Sequence, residues 1–195
     1  GPFLLVPEWR TTFLLAAVVV VVAAFAILVG HRIVRHVAVL VLLGTHLALG
    51  IWMIRILPQP WPMIDVYMFQ RDSVAALLAG VDPYAITFRN PYPTGAYYGP
   101  GMVVDGRLTF GFVYPPLSLF LSVLGTWIGG DLRYAQLGAM TLAAAFMAYT
   151  RVGRLGALAA GLYLFTPRNL FVLEQSWTEP FVVLFLAATV WCAAR

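Results

Sequence analysis

The sequence predicts an all-α protein: a polytopic membrane helical bundle with a long outer loop that carries an interfacial helix. Three observations predict this fold class. Of the 195 residues, 62% are hydrophobic and 10% are charged, whereas a water-soluble domain has about 25% charged residues. Long apolar runs recur along the chain, separated by short polar or basic segments. One long segment between two of these runs is rich in Asp, Arg, Tyr, Pro and Gly.

The composition also excludes other classes of protein. All twelve Lys and Arg positions are arginine, and the net charge is +4. These arginines are scattered one or two at a time between apolar runs, so we predict membrane lipids and no nucleic acid as partners. Cys192 is the one cysteine, which excludes a disulfide scaffold.

The first two predicted spans cover about 12–30 and 37–55. Residues 13–29 are all apolar and at 1.5 Å per residue cover most of the roughly 30 Å hydrocarbon core. The basic segment 31–36 that follows predicts a cytoplasmic turn. The second span therefore leaves the cytoplasm, with His46 as the ionisable group of its interior.

Residues 58–113 form the predicted outer loop. Within it, 65–79 lack Pro and Gly, and Gly80 stands where a helix C-cap prefers it. We expect a helix on the membrane surface whose polar residues, 70–72, face water. Residues 90–101 interleave Pro and Gly with Tyr, which predicts a loop with aromatic walls.

Four further spans are predicted at about 114–130, 134–150, 155–172 and 180–195. If the spans alternate, Arg151 and Arg154 fall on the outer side, against the positive-inside tendency. Either that tendency fails here or one later segment does not cross. The chain begins without Met and ends inside an apolar run. We therefore expect 1–195 to be the N-terminal part of one larger transmembrane domain.

Asp65 is the candidate general base. It follows the second span at the outer interface, where partial desolvation moves a carboxyl pKa toward the range that a base needs. The same position suits a cap of the helix that follows, and both roles stay open. Asp72 lies two turns on, about 10 Å away, too far to share one reacting atom with Asp65.

Other side chains are candidates for binding. Arg71, Arg89 and Arg107 suit bidentate phosphate contacts, although each also suits a surface or interface anchor. Acidic and amide groups at 174–179 stand against a predicted span, where ionisable groups are functional hypotheses; the alternative is the start of an interfacial helix. No metal site is predicted, because the histidines lie away from the acidic loop. A divalent cation as cofactor stays open.

Three elements stand in one order: Asp65-Val66-Tyr67, the segment Leu-Leu-Ala-Gly-Val-Asp-Pro-Tyr at 77–84, and Tyr-Pro-Pro-Leu at 114–117. With them, from Arg55 to about Phe185, the chain resembles a GT-C-type membrane glycosyltransferase. More closely it resembles the polyprenyl-phosphate-mannose-dependent mannosyltransferases of glycosyltransferase family 87 and their uncharacterised relatives. Two features depart from that family: an additional span precedes the usual first one, and its Gly-Gln-x-Asn element appears here as Glu-Gln-Ser-Trp at 174–177.

The resemblance implies a multi-pass cell-membrane enzyme with its active site on the outer face. Such an enzyme moves a sugar, mannose favoured, from a polyprenyl-phosphate donor to a lipid or glycan acceptor with inversion. Asp65 matches the position of the family's base. Tyrosines offer stacking faces and hydroxyls that sugars favour. The candidate substrate-binding residues are Arg71, Asp72, Tyr84, Arg89, Tyr97, Tyr98, Arg107, Tyr114, Glu174, Gln175 and Glu179.

A non-enzymatic membrane protein is the alternative: a transporter, a flippase or a scaffold subunit. Transporters place ionisable groups at mid-membrane, often beside broken helices. His46 is the one candidate of this kind, and such a residue more commonly makes an interhelical hydrogen bond. The predicted spans contain few ionisable residues, whereas the predicted outer loop contains many residues that could bind or react. This distribution favours the enzyme.

Overall fold

The computed structural model describes residues 7–57, 64–94, 97–150 and 153–194. The described residues are 72% helical, and the predicted mainly helical fold is confirmed. The described residues form eight helices: α1 (Pro7–Val29), α2 (Arg32–Ile56), α3 (Asp65–Leu78), α4 (Pro116–Gly129), α5 (Arg133–Ala148), α6 (Arg154–Phe165), α7 (Pro167–Glu174) and α8 (Glu179–Ala193). Two short antiparallel strands, β1 (Val103–Val104) and β2 (Arg107–Leu108), form a hairpin between α3 and α4 that the sequence did not predict.

Two helices in the described part of the chain are long and apolar enough to cross a membrane. They are Trp9–Val29 and Arg32–Ile56, within α1 and α2. The α6–α7 pair becomes a third candidate if it is counted as one bent span. Much of α1 faces outward with apolar side chains, such as Val21 and Phe25, which are 67% and 63% exposed. Apolar surface of this kind suits lipid better than water.

One end of the bundle, which we call the basic end, joins two turns of the chain. The Tyr149 hydroxyl lies 3.1 Å from His36 Nδ1, and Arg154 Nη2 donates to the Gly30 carbonyl at 3.4 Å. Arg154 therefore lies at the same end as the basic segment 31–36. Arg151 lies outside the described residues.

The opposite end, the loop end, holds both ends of α4. At its start, the Tyr84 hydroxyl donates to the Tyr114 carbonyl at 2.9 Å. At its finish, Gly129 and Asp131 line a cleft together with Arg55, at the end of α2. The start and the end of α4 therefore lie at one end of the molecule, and Arg154 lies at the other end with the basic segment 31–36.

The predicted span 155–172 contains a break. The axes of α6 and α7 differ by 52°. Pro167 is the first residue of α7, and Thr166 before it is extended, with φ −62° and ψ 126°. A residue that precedes proline avoids the helical conformation, which accounts for the bend.

Two hydrophobic clusters hold these elements together. The larger one packs α1, α2, α5 and α6 around fully buried side chains such as Ile27, Met53 and Met140. Within it, His46 Nδ1 lies 3.1 Å from Thr141 Oγ1, so the predicted interhelical hydrogen bond of His46 is confirmed. The smaller cluster, at the loop end, packs the hairpin and its flanking loops against α3 and α4; its members include Phe69, Phe88, Leu108, Phe112 and Leu119.

Glycine allows α4 and α5 to cross closely. A Cβ atom on Gly125 would lie 2.5 Å from the Leu132 carbonyl oxygen and 2.6 Å from the Ala135 amide nitrogen. Both atoms are backbone, so no side chain can swing away. Gly138 lies in α5, and a Cβ atom added to it would have nothing within 4 Å.

This difference predicts opposite results for one substitution at two sites. Gly125→Ala should lower the free energy of unfolding by about 1–3 kcal/mol, because the backbones must separate. Gly138→Ala should leave it unchanged or raise it by up to about 1 kcal/mol, since alanine favours helix. Thermal unfolding of the detergent-solubilised chain, followed by tryptophan fluorescence, measures both. Equal shifts in Tm for the two variants would contradict the close crossing.

Candidate functional site

Asp65 begins α3 and holds its carboxylate between the helix and the loop. Its Oδ1 accepts a hydrogen bond from the Val66 amide at 2.8 Å, and its Oδ2 accepts one from the Tyr98 hydroxyl at 3.2 Å. The carboxylate also lies at the positive end of the helix dipole, which stabilises a negative charge there. The N-cap position itself belongs to Ile64 and makes no side-chain cap. Asp65 therefore supports the helix start with one oxygen and faces the loop with the other.

Tyrosines from the segment 90–101 surround this carboxylate. The ring of Tyr92 stacks against Tyr97, with centroids 4.4 Å apart, and lies 6.0 Å from the ring of Tyr98. Burial, and then the negative charge of Asp65, raise the pKa of Tyr92 and of Tyr98. The predicted aromatic loop thus lies beside Asp65. Residues 58–63 and 95–96 lie outside the described part of the chain.

Glu179 joins the same cluster through Tyr114. Burial, and then the negative charges of Asp65 and Glu179, raise the pKa of Tyr114 to about 12. Glu179 begins α8, so two carboxylates that are 114 positions apart in the sequence both act on Tyr114. We call Asp65, Tyr92, Tyr98, Tyr114 and Glu179 the Asp65 cluster.

Arg89 and Arg107 form a pair of neighbouring cations. They face each other across an isolated antiparallel bridge, and the hydrogen bonds on either side of them are Asn90 N to Gly106 O and Leu108 N to Phe88 O. Arg89 and Arg107 are therefore a non-hydrogen-bonded pair, the type in which the side chains of the two strands are nearest. Arg107 also donates to Thr87 Oγ1 from Nε at 3.1 Å. Both arginines are exposed.

Arg71 and Asp72 are paired with each other. Arg71 Nη2 lies 2.8 Å from Asp72 Oδ1, and both side chains are about two-fifths exposed. Arg71 is six residues beyond Asp65, about 240° further round the helix. There it lines a cleft of about 490 Å³ with Arg55 and Tyr134.

The remaining candidates are dispersed. Glu174 is buried, with 1% of its surface exposed, and lines an apolar cleft of about 390 Å³ between α1 and α7. Gln175 caps α7. Tyr84 packs its ring against Phe112, and Tyr97 is 72% exposed. Asp65 lines neither the cleft at Glu174 nor the cleft at Arg71.

A buried amide network, which the sequence analysis missed, fixes α3 to the bundle. Gln70 Nε2 donates to the Ser176 carbonyl at 2.7 Å, and Ser122 Oγ donates to Gln70 Oε1 at 3.1 Å. Gln136 Nε2 donates to the same Ser176 carbonyl at 2.9 Å. All four side chains are fully buried. The prediction that Gln70 faces water is therefore wrong, because its amide completes this network.

One feature of the sequence indicates part of this buried amide network. Gln136 is a polar side chain inside a mostly apolar helix, and such a residue needs a buried partner. Its partner Ser176 is 40 residues away and has a left-handed backbone with φ +60°. A single sequence does not specify that pairing.

A buried ion pair in the α4–α5 turn was also missed. Arg133 Nη2 lies 2.7 Å from Asp131 Oδ2, and the arginine side chain is fully buried. Its guanidinium also stands 5.3 Å from the centre of the Tyr67 ring. This pair attaches the turn to α3, the helix that begins with Asp65.

The Asp65 cluster combines a half-buried carboxylate with phenol groups on one side of it. A carboxylate in this setting can accept a proton from a hydroxyl group, and the tyrosine faces suit a sugar ring. Within the described ranges, no group of three or more His, Cys, Asp or Glu side chains lies close enough to hold a metal ion.

The contact between Asp65 and Tyr98 makes a titration prediction. In Asp65→Asn the pKa of Tyr98 should fall toward its usual value of about 10, because a neighbouring negative charge no longer opposes ionisation. It should not fall the whole way, since burial also raises it. Carbon-13 NMR of tyrosine-labelled protein measures this pKa, with Tyr98→Phe assigning the resonance.

The matched control is Asp105→Asn. Asp105 is exposed at the tip of the hairpin with φ +48°, a conformation that asparagine tolerates. This variant should leave the Tyr98 pKa unchanged. An unchanged value in Asp65→Asn as well would contradict the contact.

Comparisons of the chain with protein-family models, with curated proteins and with solved structures find no match. The functional conclusion therefore depends on the geometry of the site.

Proposed function

We propose that the chain acts as a membrane glycosyltransferase. It moves a sugar, mannose favoured, from a polyprenyl-phosphate donor to a lipid or glycan acceptor with inversion. The observation that supports this proposal best is the Asp65 carboxylate. It is half-buried at the loop end, held by the Val66 amide and the Tyr98 hydroxyl, and lies among tyrosine rings.

The distribution of charge supports a multi-pass arrangement with the site outside. If α1 and α2 cross the membrane, the basic end lies in the cytoplasm, because short basic turns stay inside. Arg154 then also lies on the cytoplasmic side, in agreement with the positive-inside tendency. The loop end, with the Asp65 cluster, lies on the outer face, where the donor's sugar is available.

The proposed reaction is a single in-line displacement. Asp65 takes the proton of the acceptor hydroxyl as that oxygen forms a bond to the anomeric carbon. The bond from that carbon to the phosphate oxygen breaks, and the lipid phosphate leaves with the electron pair. Attack opposite the leaving group inverts the anomeric configuration. Tyr98 positions the carboxylate by its hydrogen bond.

The leaving phosphate needs positive charge nearby. Arg89 and Arg107 face each other across a backbone bridge, and guanidinium binds phosphate oxygens in a bidentate manner. A divalent cation is another source of positive charge, so sugar transfer is measured with and without a chelator.

Asp65→Asn should lower the rate of sugar transfer by a factor of about 10²–10⁴, because asparagine cannot accept the proton. Proteoliposomes with radiolabelled polyprenyl-phosphate mannose, glucose or arabinose and an extracted lipid acceptor measure transfer. Asp105→Asn, with the same chemical change at an exposed turn, should keep the wild-type rate. Near wild-type transfer by Asp65→Asn would remove Asp65 from the role of base.

A transporter or flippase is the second candidate, favoured by one observation. The bent pair α6–α7 ends at buried Glu174, and transporters combine broken helices with buried ionisable groups. On this hypothesis Glu174→Gln lowers the movement of labelled polyprenyl phosphate across proteoliposomes, and Asp65→Asn leaves it unchanged. The reverse pattern, with transfer lost in Asp65→Asn, supports the transferase.

A further inference from the structure

We propose that the basic end binds the headgroup of an anionic phospholipid. A cleft of about 910 Å³ opens there, between the α1–α2 turn and the α5–α6 turn. The cleft is lined by His31, Arg32, Ile33, Arg35, His36, Val39, Ala148, Tyr149, Thr150, Gly153 and Ala157. The inference rests on α1 and α2 lying in a membrane and is independent of the transfer chemistry at Asp65.

The cleft has positive charge, and none of the described residues that line it is Asp or Glu. Arg32 is exposed and Arg35 is half-buried on its wall. The sequence contains no Asp or Glu in 9–64 or in 132–173, and these ranges include all of α2, α5 and α6. These helices therefore offer no acidic partner to the two guanidinium groups. An anion is the missing partner that this chemistry fits.

Neutral polar groups complete the wall. The Tyr149 hydroxyl lies 3.1 Å from His36 Nδ1, which holds the ring at the mouth of the cleft. Thr150 Oγ1 donates to the Met147 carbonyl at 2.9 Å. The guanidinium groups of Arg32 and Arg35 are planar forks that provide donors for several phosphate oxygens at once.

Apolar surface beside the cleft indicates that the phosphate belongs to a lipid. Ile33 lines the basic cleft and also an apolar groove of about 430 Å³ between α1 and α2. Ile33 and Val37, on that groove, are 70% and 53% exposed. A phospholipid can place its headgroup in the cleft and an acyl chain along the groove, whereas a free phosphate uses the cleft alone. Basic pockets between membrane helices on the cytoplasmic side bind anionic headgroups in this way.

Native mass spectrometry of the detergent-solubilised chain tests the proposal, with dioleoyl phosphatidylglycerol as the probe and dioleoyl phosphatidylcholine as the neutral comparison. Wild type should bind phosphatidylglycerol in preference. The double variant Arg32→Gln, Arg35→Gln should bind it about 25-fold more weakly, a factor of about five for each arginine. Arg55→Gln, at the other end of the same helix, should match wild type. Asp65→Asn should also match wild type, which separates this site from the proposed transfer.

Two further measurements do not depend on the variants. Raising the salt from about 0.05 to 0.5 M should weaken phosphatidylglycerol binding to wild type, because screening reduces the attraction, and excess inorganic phosphate should displace it only in part. Equal binding of the two lipids would overturn the proposal, as would an unchanged affinity in the double variant. Full displacement by inorganic phosphate would also overturn it, since the cleft would then hold a soluble anion.

Discussion

The buried amide network around Ser176 is the interaction on which the rest of the structure depends. Gln70 and Gln136 both donate to its carbonyl, at 2.7 and 2.9 Å, so one backbone oxygen fastens α3 and α5 to the break between α7 and α8. Buried amides of this kind cost free energy unless every one is paired. Because they are paired, α3 has a fixed position, and the Asp65 carboxylate at its first residue has a fixed place beside Tyr98.

The same packing divides the molecule into two chemically different ends. At the loop end, the network, the Arg133–Asp131 pair and the smaller hydrophobic cluster assemble a layer that includes Asp65 and Glu179. At the basic end, the two turns meet through Tyr149 and His36, and α2, α5 and α6 contain no Asp or Glu. The proposed site of sugar transfer and the proposed lipid-binding site thus lie at opposite ends of α2. A protein held in the bilayer by one end can present the other to a lipid-linked substrate.

Local features of the sequence predict the helices well. Apolar runs mark α1 and α2, and Gly80 and Gly130, with φ +74° and +78°, end α3 and α4 near their predicted limits. Tertiary features are the ones that local patterns miss. Gln70 pairs with a carbonyl 106 residues away, and Glu179 reaches the surroundings of Asp65 only because α8 begins at the loop end. The candidate Arg71, in contrast, lies on another flank of α3 because of helix geometry alone, six residues beyond Asp65.

Hydrogen exchange in the variant Gln70→Leu tests most directly whether this network holds α3 in place. Leucine favours helix at least as well as glutamine, so local propensity alone predicts no loss of protection in α3. We predict that amides in 65–78 and in 174–180 exchange about tenfold faster or more, since losing a buried hydrogen bond costs about 1–3 kcal/mol, while amides of α1 are unaffected. Unchanged exchange in both segments would contradict the central role of the network.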